Sequence, residues 1–198
     1  MARIKLTKTE LKAQMDALKR FERFLPMLQL KKLQLQSEIA AIAQKAEDIA
    51  KCEAKFRDEV SSWAGLLATC EPELNNLVNV EQIKTSTANV AGVTIPTFEG
   101  VDVKVRRVDA WLTPPWIDDV SDAIVKMINL KSQRVVFEEQ LRLISIELQL
   151  TSQRVNLFEK VKIPGCKEAI RVIKIALGDE QTAAVTRGKI AKSRVPQS

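Results

Sequence analysis

The side chains able to do chemistry are few and poorly assembled. No histidine occurs among the 198 residues, which excludes nucleophile and acid/base arrangements that need an imidazole. Cys52, Cys70 and Cys166 are an odd number of thiols at wide spacing, suiting neither a disulfide framework nor a zinc site. Core packing is their expected role, although Lys162, Lys167 and Arg171 flank Cys166 and would favour its thiolate. The acid pairs Asp118 with Asp119 and Glu138 with Glu139 suggest metal ligands, but adjacent helix residues do not face one another. A helix start and a solvated face explain them better. Gly188 and Lys189 look like the end of a phosphate-binding loop, yet Ile190 stands where Ser or Thr is needed and Ala183 where the first Gly belongs. No catalytic residue, cofactor or metal is expected.

Charge is more informative. The net charge is +6, but residues 1–32 and 160–198 each hold nine Lys or Arg against three acids, so the ends together carry +12 and residues 33–159 carry −6. If the termini lie side by side, one end of the molecule is strongly basic and would attract something acidic. No apolar stretch marks a signal peptide, and the longest uncharged run, Thr85 to Phe98, is 14 residues with a Pro and a Gly inside. These features predict a soluble cytosolic protein without membrane insertion.

The charges need a scaffold, and the pattern supplies a long one. Six Gly, seven Pro, no Tyr and blocks of Leu, Ile, Lys, Glu, Gln and Ala describe a mainly helical chain. From Thr7 to about Leu67, apolar residues recur every seven: Phe21, Leu28, Leu35, Ile42, Ile49, Phe56 and Trp63. A companion series, Leu25, Lys32, Ile39, Ala46, Glu53, Val60 and Leu67, continues the phase of Leu11 and Leu18. That seam demands a partner helix, because a rod of roughly 90 Å at about 1.5 Å per residue cannot stand alone. Thr7 with Glu10 has capping-box spacing, and Pro26 predicts a kink.

The partner is predicted from Ile117 to about Lys192, with Asp118 and Asp119 at its positive end and a break near Pro164 and again at Gly178. Its seam reads Met127, Leu130, Arg134, Phe137, Leu141, Ile144, Leu148, Thr151, Val155 and Phe158. An antiparallel pair places residue i opposite about 185 minus i. Between the rods, residues 70–116 read as a small β region. Val101, Val103 and Val105 alternate with polar residues, predicting a hairpin from Val90 to Val105 turning at Glu99 and Gly100, with Pro96 on an edge. Trp63, Trp111 and Trp116 read as packing anchors, with Trp111 and Trp116 packing the hairpin against the rod ends. The expected fold is a mainly α single elongated domain, a two-helix antiparallel coiled coil with a central β-hairpin region.

Two stretches then carry a resemblance. Asn89 to Glu99, reading Asn-Val-Ala-Gly-Val-Thr-Ile-Pro-Thr-Phe-Glu, and Arg154 to Glu159 running on to Ile163 and Pro164, stand in the order and separation of the D subunits of V-type and A-type ATPases. The chain resembles the bacterial branch of that family most, since Pro26 interrupts the first helix and Gly165 stands where a basic residue is common. The resemblance implies a non-catalytic central-stalk rotor subunit. Its helices enter the hollow of the catalytic A and nucleotide-binding B subunits, a small F subunit binds alongside, and a connector joins it to the ion-translocating membrane ring. The hairpin and the Trp111–Trp116 turn would lie towards the membrane sector. Lys19, Arg20, Arg23, Lys167, Arg171 and Lys174 are then the expected contacts with A and B. The residues alone also accommodate a cytosolic coiled-coil scaffold or a nucleic-acid-binding coiled coil, though no basic and aromatic interleaving marks the latter.

Overall fold

The computed structural model describes residues 5–65, 77–106 and 116–194. Helix α1 (Lys8–Ala64) is followed by strands β1 (Val78–Val90) and β2 (Val93–Val105), helix α2 (Ile117–Leu157), a π-helical turn (Phe158–Lys162) and helix α3 (Ile163–Arg194). The chain divides into two compact units, one of residues 1–32 with 150–198 and one of residues 33–149. Trp111 and Cys70, together with the expected helix end at Leu67, lie outside the described residues.

Helix α1 begins as its sequence predicts. The Glu10 amide donates to Thr7 Oγ1 at 3.2 Å, satisfying a donor that an uncapped helix leaves open, and the Leu11 amide makes the first bond of the helix to the Thr7 carbonyl at 3.0 Å. The reciprocal half of the box is absent, because the Glu10 carboxylate instead accepts from Gln14 at 2.8 Å. The helix continues through Pro26 without a break. Every described seam residue of α1 is buried or half-buried. On α2 the same holds except at Arg134, which is exposed.

In the unit of residues 33–149, α1 and α2 run antiparallel. Leu35, Ile42 and Ile144 form a buried cluster with Ile39, Phe137, Leu141 and Leu148 around it. Farther along α1, Glu53 meets Arg134, the Lys126 ammonium sits 4.3 Å from the centre of the Phe56 ring, and Trp63 packs with Ile117 and Val120. Ascending numbers on α1 thus meet descending numbers on α2, within a few residues of the expected pairing. In the other unit, the Phe21 and Phe158 rings lie 5.0 Å apart and Lys167 reaches Glu22 at 3.6 Å, while Cys166, Ala169 and Ile173 are buried on α3.

The hairpin differs from its expectation. It spans Val78 to Val105 and turns at Ala91 and Gly92, with Val90 opposite Val93. Both turn residues have positive φ, 51° and 82°, as a two-residue hairpin loop requires, and the Gly92 amide donates to Asn89 Oδ1 at 3.0 Å. Glu99 and Gly100 do not turn the chain. They lie within β2 where Lys84 pairs Gly100 but Thr85 pairs Phe98, leaving Glu99 as the extra residue of a bulge. A glycine next to a bulge and a glycine in a turn look alike in sequence, because both answer a local departure from regular backbone.

The hairpin also folds back along the helices. Its base lies with Leu77, Val78, Trp63 and Trp116 beside the start of α2, whereas Val90, Ala91, Val93 and buried Ile95 pack onto Leu35, Ile42 and Ile144. Strands of 13 residues reach about 40 Å at roughly 3.3 Å per residue, enough to carry the tip far from the base. The aromatics therefore anchor the base, and the tip is held by aliphatic contacts. Gln140, buried on α2 but off the seam, donates its amide to the Pro96 carbonyl.

The expected break at Gly178 is corrected too. Gly178 lies inside α3, which runs unbroken to Arg194, and nothing approaches the space its Cβ would fill. The irregularity lies before Pro164. The Ile163 amide donates to the Phe158 carbonyl, a five-residue step that widens the helix immediately ahead of a residue with no N–H. Truncating Ile95 to Ala should cost about 3 kcal/mol and release the tip first. Denaturant unfolding gives the loss, and amide exchange should rise along β1 and β2 before it rises in α1.

Candidate functional site

The six expected contact residues all belong to the unit of residues 1–32 and 150–198 and all are exposed. Helix geometry explains the grouping. Lys19 and Arg23 are four apart, Arg20 and Arg23 three apart, and Lys167, Arg171 and Lys174 step by four and three, so each set occupies one helix face. The Glu22 to Lys167 contact at 3.6 Å brings the two sets together. The charge division follows the fold: residues 1–32 with 150–198 sum to +12 and residues 33–149 to −6.

Two of the six cations are already engaged. Lys167 pairs with Glu22, and Arg171 grips Glu168 with two hydrogen bonds, Nε at 2.9 Å and Nη2 at 2.7 Å. Those bonds hold the Glu168 carboxyl below its ordinary pKa of 4.5 and raise that of Arg171. Lys19, Arg20, Arg23 and Lys174 have no ion-pair partner among the described residues. Glu22 and Glu168 escaped the sequence reading, although Glu168 at three residues before Arg171 was a detectable signal. Lys160 and Lys162, exposed on the π-helical turn, add positive charge that no periodicity marked.

A second cluster lies in the unit of residues 33–149. Glu53, Arg57, Lys131, Arg134, Val135 and Glu138 line an open cleft of about 260 Å³. The Glu53 side chain is only 4% exposed, yet it accepts from Arg57 at 2.7 Å and from Arg134 across the seam at 3.3 Å. Arg134, 48% exposed, also binds Glu138 at 2.9 Å, and its pKa is raised first by that bond to Glu138 and then by Glu53. Each carboxylate here has a cationic partner, and a charge-paired cluster of this kind sets helix register. Among the described residues no group of three or more His, Cys, Asp or Glu could hold a metal. Cys52 is exposed and Cys166 buried, both as free thiols. Among the described residues no helix is long and apolar enough to cross a membrane.

The sequence that builds the two long helices and the hairpin matches known proteins along nearly the whole chain. A family model described as the D subunit of ATP synthase matches residues 10–193. The chain belongs to the ATP synthase D-subunit family. It is 42% identical over 193 residues to the V-type ATP synthase D subunit of Borreliella burgdorferi, covering 98% of this chain and 95% of that one. It is 30% identical over 198 residues to its counterpart in Chlamydia muridarum, covering 99% and 98%. The region matched to the D-subunit family contains the hairpin, the Glu53 cluster and all six basic residues.

The two charge clusters give separate outcomes. A carboxylate whose folded pKa is depressed adds stability above its unfolded value and loses it as pH falls, so the Glu168 pair should weaken only in acid. NMR titration should place the Glu168 midpoint below 4.5, and Arg171→Gln should return it towards that value. At the seam, Arg134→Leu alone should lower the melting temperature, because buried Glu53 loses its partner across the helices. Replacing Glu53 and Arg134 together by Leu should restore or raise it.

Proposed function

We propose that this chain is the non-catalytic central-stalk rotor subunit of a V-type rotary ATP synthase, carrying torque between the catalytic A/B headpiece and the ion-translocating membrane ring. The observation that carries this reading is the family match over residues 10–193, which takes in both long helices and the hairpin between them. The relatives from Borreliella and Chlamydia are V-type ATP synthase D subunits matched over nearly their full lengths, which supports the same assembly for this chain. Its partners are then the A and B subunits, the small F subunit and the connector to the membrane ring. The chain sits at the membrane periphery on the cytoplasmic side.

The mechanism asks the protein for mechanical properties. A torque-bearing pair must not slide or unwind. Interdigitating seam side chains oppose unwinding, and the Glu53–Arg134 pair opposes sliding because a one-turn slip would cost buried Glu53 its partner on the opposite helix. The hairpin, bolted to both helices through Ile95 and Gln140, adds a third contact line in its unit. The headpiece needs a grip that still permits rotation. Long, solvated Lys and Arg side chains provide charge attraction without a close-packed interface that would hold the shaft in one orientation. Lys19, Arg20, Arg23, Lys167, Arg171 and Lys174 are the proposed grips.

Purifying the tagged chain gently from its native cell tests the reading. Stoichiometric recovery of two larger ATPase subunits and a small partner, with ATPase activity, is expected; a clean homodimer without them would sink it. Within a recovered complex, Arg20→Glu with Arg23→Glu should weaken retention of the headpiece by roughly tenfold, leave the circular dichroism unchanged, and make the remaining association less salt-sensitive, because fewer attractive charge pairs are left to screen.

A further inference from the structure

Helix α3 runs on to Arg194, but from Gly178 onward every described residue is exposed. Its last buried side chain is Ile173. Between Gly178 and Arg194, hydroxyls turn back onto their own helix: Thr182 to the Gly178 carbonyl, Thr186 to the Thr182 carbonyl and Ser193 to the Ile190 carbonyl. Such back-bonds weaken a helix slightly. The composition is equally unhelpful, with Gly178 and Gly188 in the interior and β-branched Thr182, Val185, Thr186 and Ile190 between or beside them. Isolated helices of about 12 to 15 residues are marginal in water even when rich in alanine. This one has tertiary support only at its first end.

The side chains show no face on which it could lie. At about 100° per residue, Arg187 and Arg194 point to one side and Lys189 and Lys192 to the opposite side, and Val185 and Ile190 fall on different sides. A helix that is polar all round is stabilised from outside or does not persist. Building on the assembly proposed above, we propose that residues 178–194 are a conditional helix, a coil in the free chain that folds when an acidic protein surface encloses it. The four cations of residues 187–194 favour acidic walls on two opposite sides, and Asp179 with Glu180, two turns earlier, disfavours a polyphosphate backbone as the partner. Ordering on contact lets the end of the chain enter an enclosed site as a flexible segment and then stiffen there.

Hydrogen exchange by mass spectrometry decides it, on the full chain alone and in the complex isolated with it. In the free chain, amides of residues 179–194 should exchange like an unstructured peptide while those of residues 166–176 stay protected. In the complex, the terminal segment should gain at least about tenfold protection, and nuclease treatment should leave that gain intact. Protection in the free chain that does not change with concentration would overturn the proposal, as would a terminal segment that stays unprotected in the complex. Protection that appears with rising chain concentration would name a second copy as the occupant, and loss on nuclease treatment would name a nucleic acid; either overturns the acidic protein partner. A complex lacking ATPase subunits would sink the assembly reading instead, and the comparison of free and bound chain would still decide how this segment folds.

Discussion

A seven-residue repeat of apolar side chains on a helix of 57 residues is a demand for a partner. The repeat holds its apolar row on one side only if a second helix winds with it, and water contact along that row would remove most of the gain from forming the helix. The answering seam on α2 meets this demand, and Leu35, Ile42 and Ile144 are where burial becomes complete in the unit of residues 33–149. The unit of residues 1–32 and 150–198 uses the same logic with different side chains, closing Phe21 on Phe158 and burying Cys166, Ala169 and Ile173. Phe158, the first residue of the π-helical turn, supplies its ring to that aromatic pair.

That constraint also governs where polarity is tolerated. Thr151 is buried with no hydrogen-bond partner for its hydroxyl, and Glu53 is buried but bonded to two arginines. Neither would be chosen for stability alone, since desolvating a polar group costs free energy even when a partner compensates. At Glu53 part of the compensation comes from Arg57 on the same helix and part from Arg134 on the opposite one, and the Arg134 pair exists only in one alignment of α1 against α2. Register is set by this polar exception because apolar seam residues tolerate a shift of one heptad far better.

The hairpin shows how a modest sheet becomes ordered. Two strands with open edges are marginal in water, and here most of β1 remains exposed while most of β2 is only half-buried. Ile95 and the turn residues supply the burial that the sheet lacks. Ala91 occupies a backbone region that favours glycine, and its packing against the helix cluster offers a reason for a methyl group there. Cross-strand pairs of Lys84 with Asp102 and Lys104 with Glu81 align the exposed length, each exposed enough to specify pairing more than to stabilise it.

Local spacing and composition were enough for the two long helices, their seams, the Thr7 start, the Ile117 start, the central β region and the basic termini. They also carried the family resemblance and the six basic candidates, whose grouping follows from helix periodicity. Tertiary packing settled what depends on distant partners: the hairpin turns at Ala91 and Gly92 and lies back along the helices, Glu99 becomes a bulge, and Gln140 faces a strand. It also settled which cations are already paired. Whether a glycine bends a chain, or passes unnoticed inside a helix as Gly178 does, depends on what surrounds it. Spacing along a chain can fix a face, but only packing fixes what that face meets.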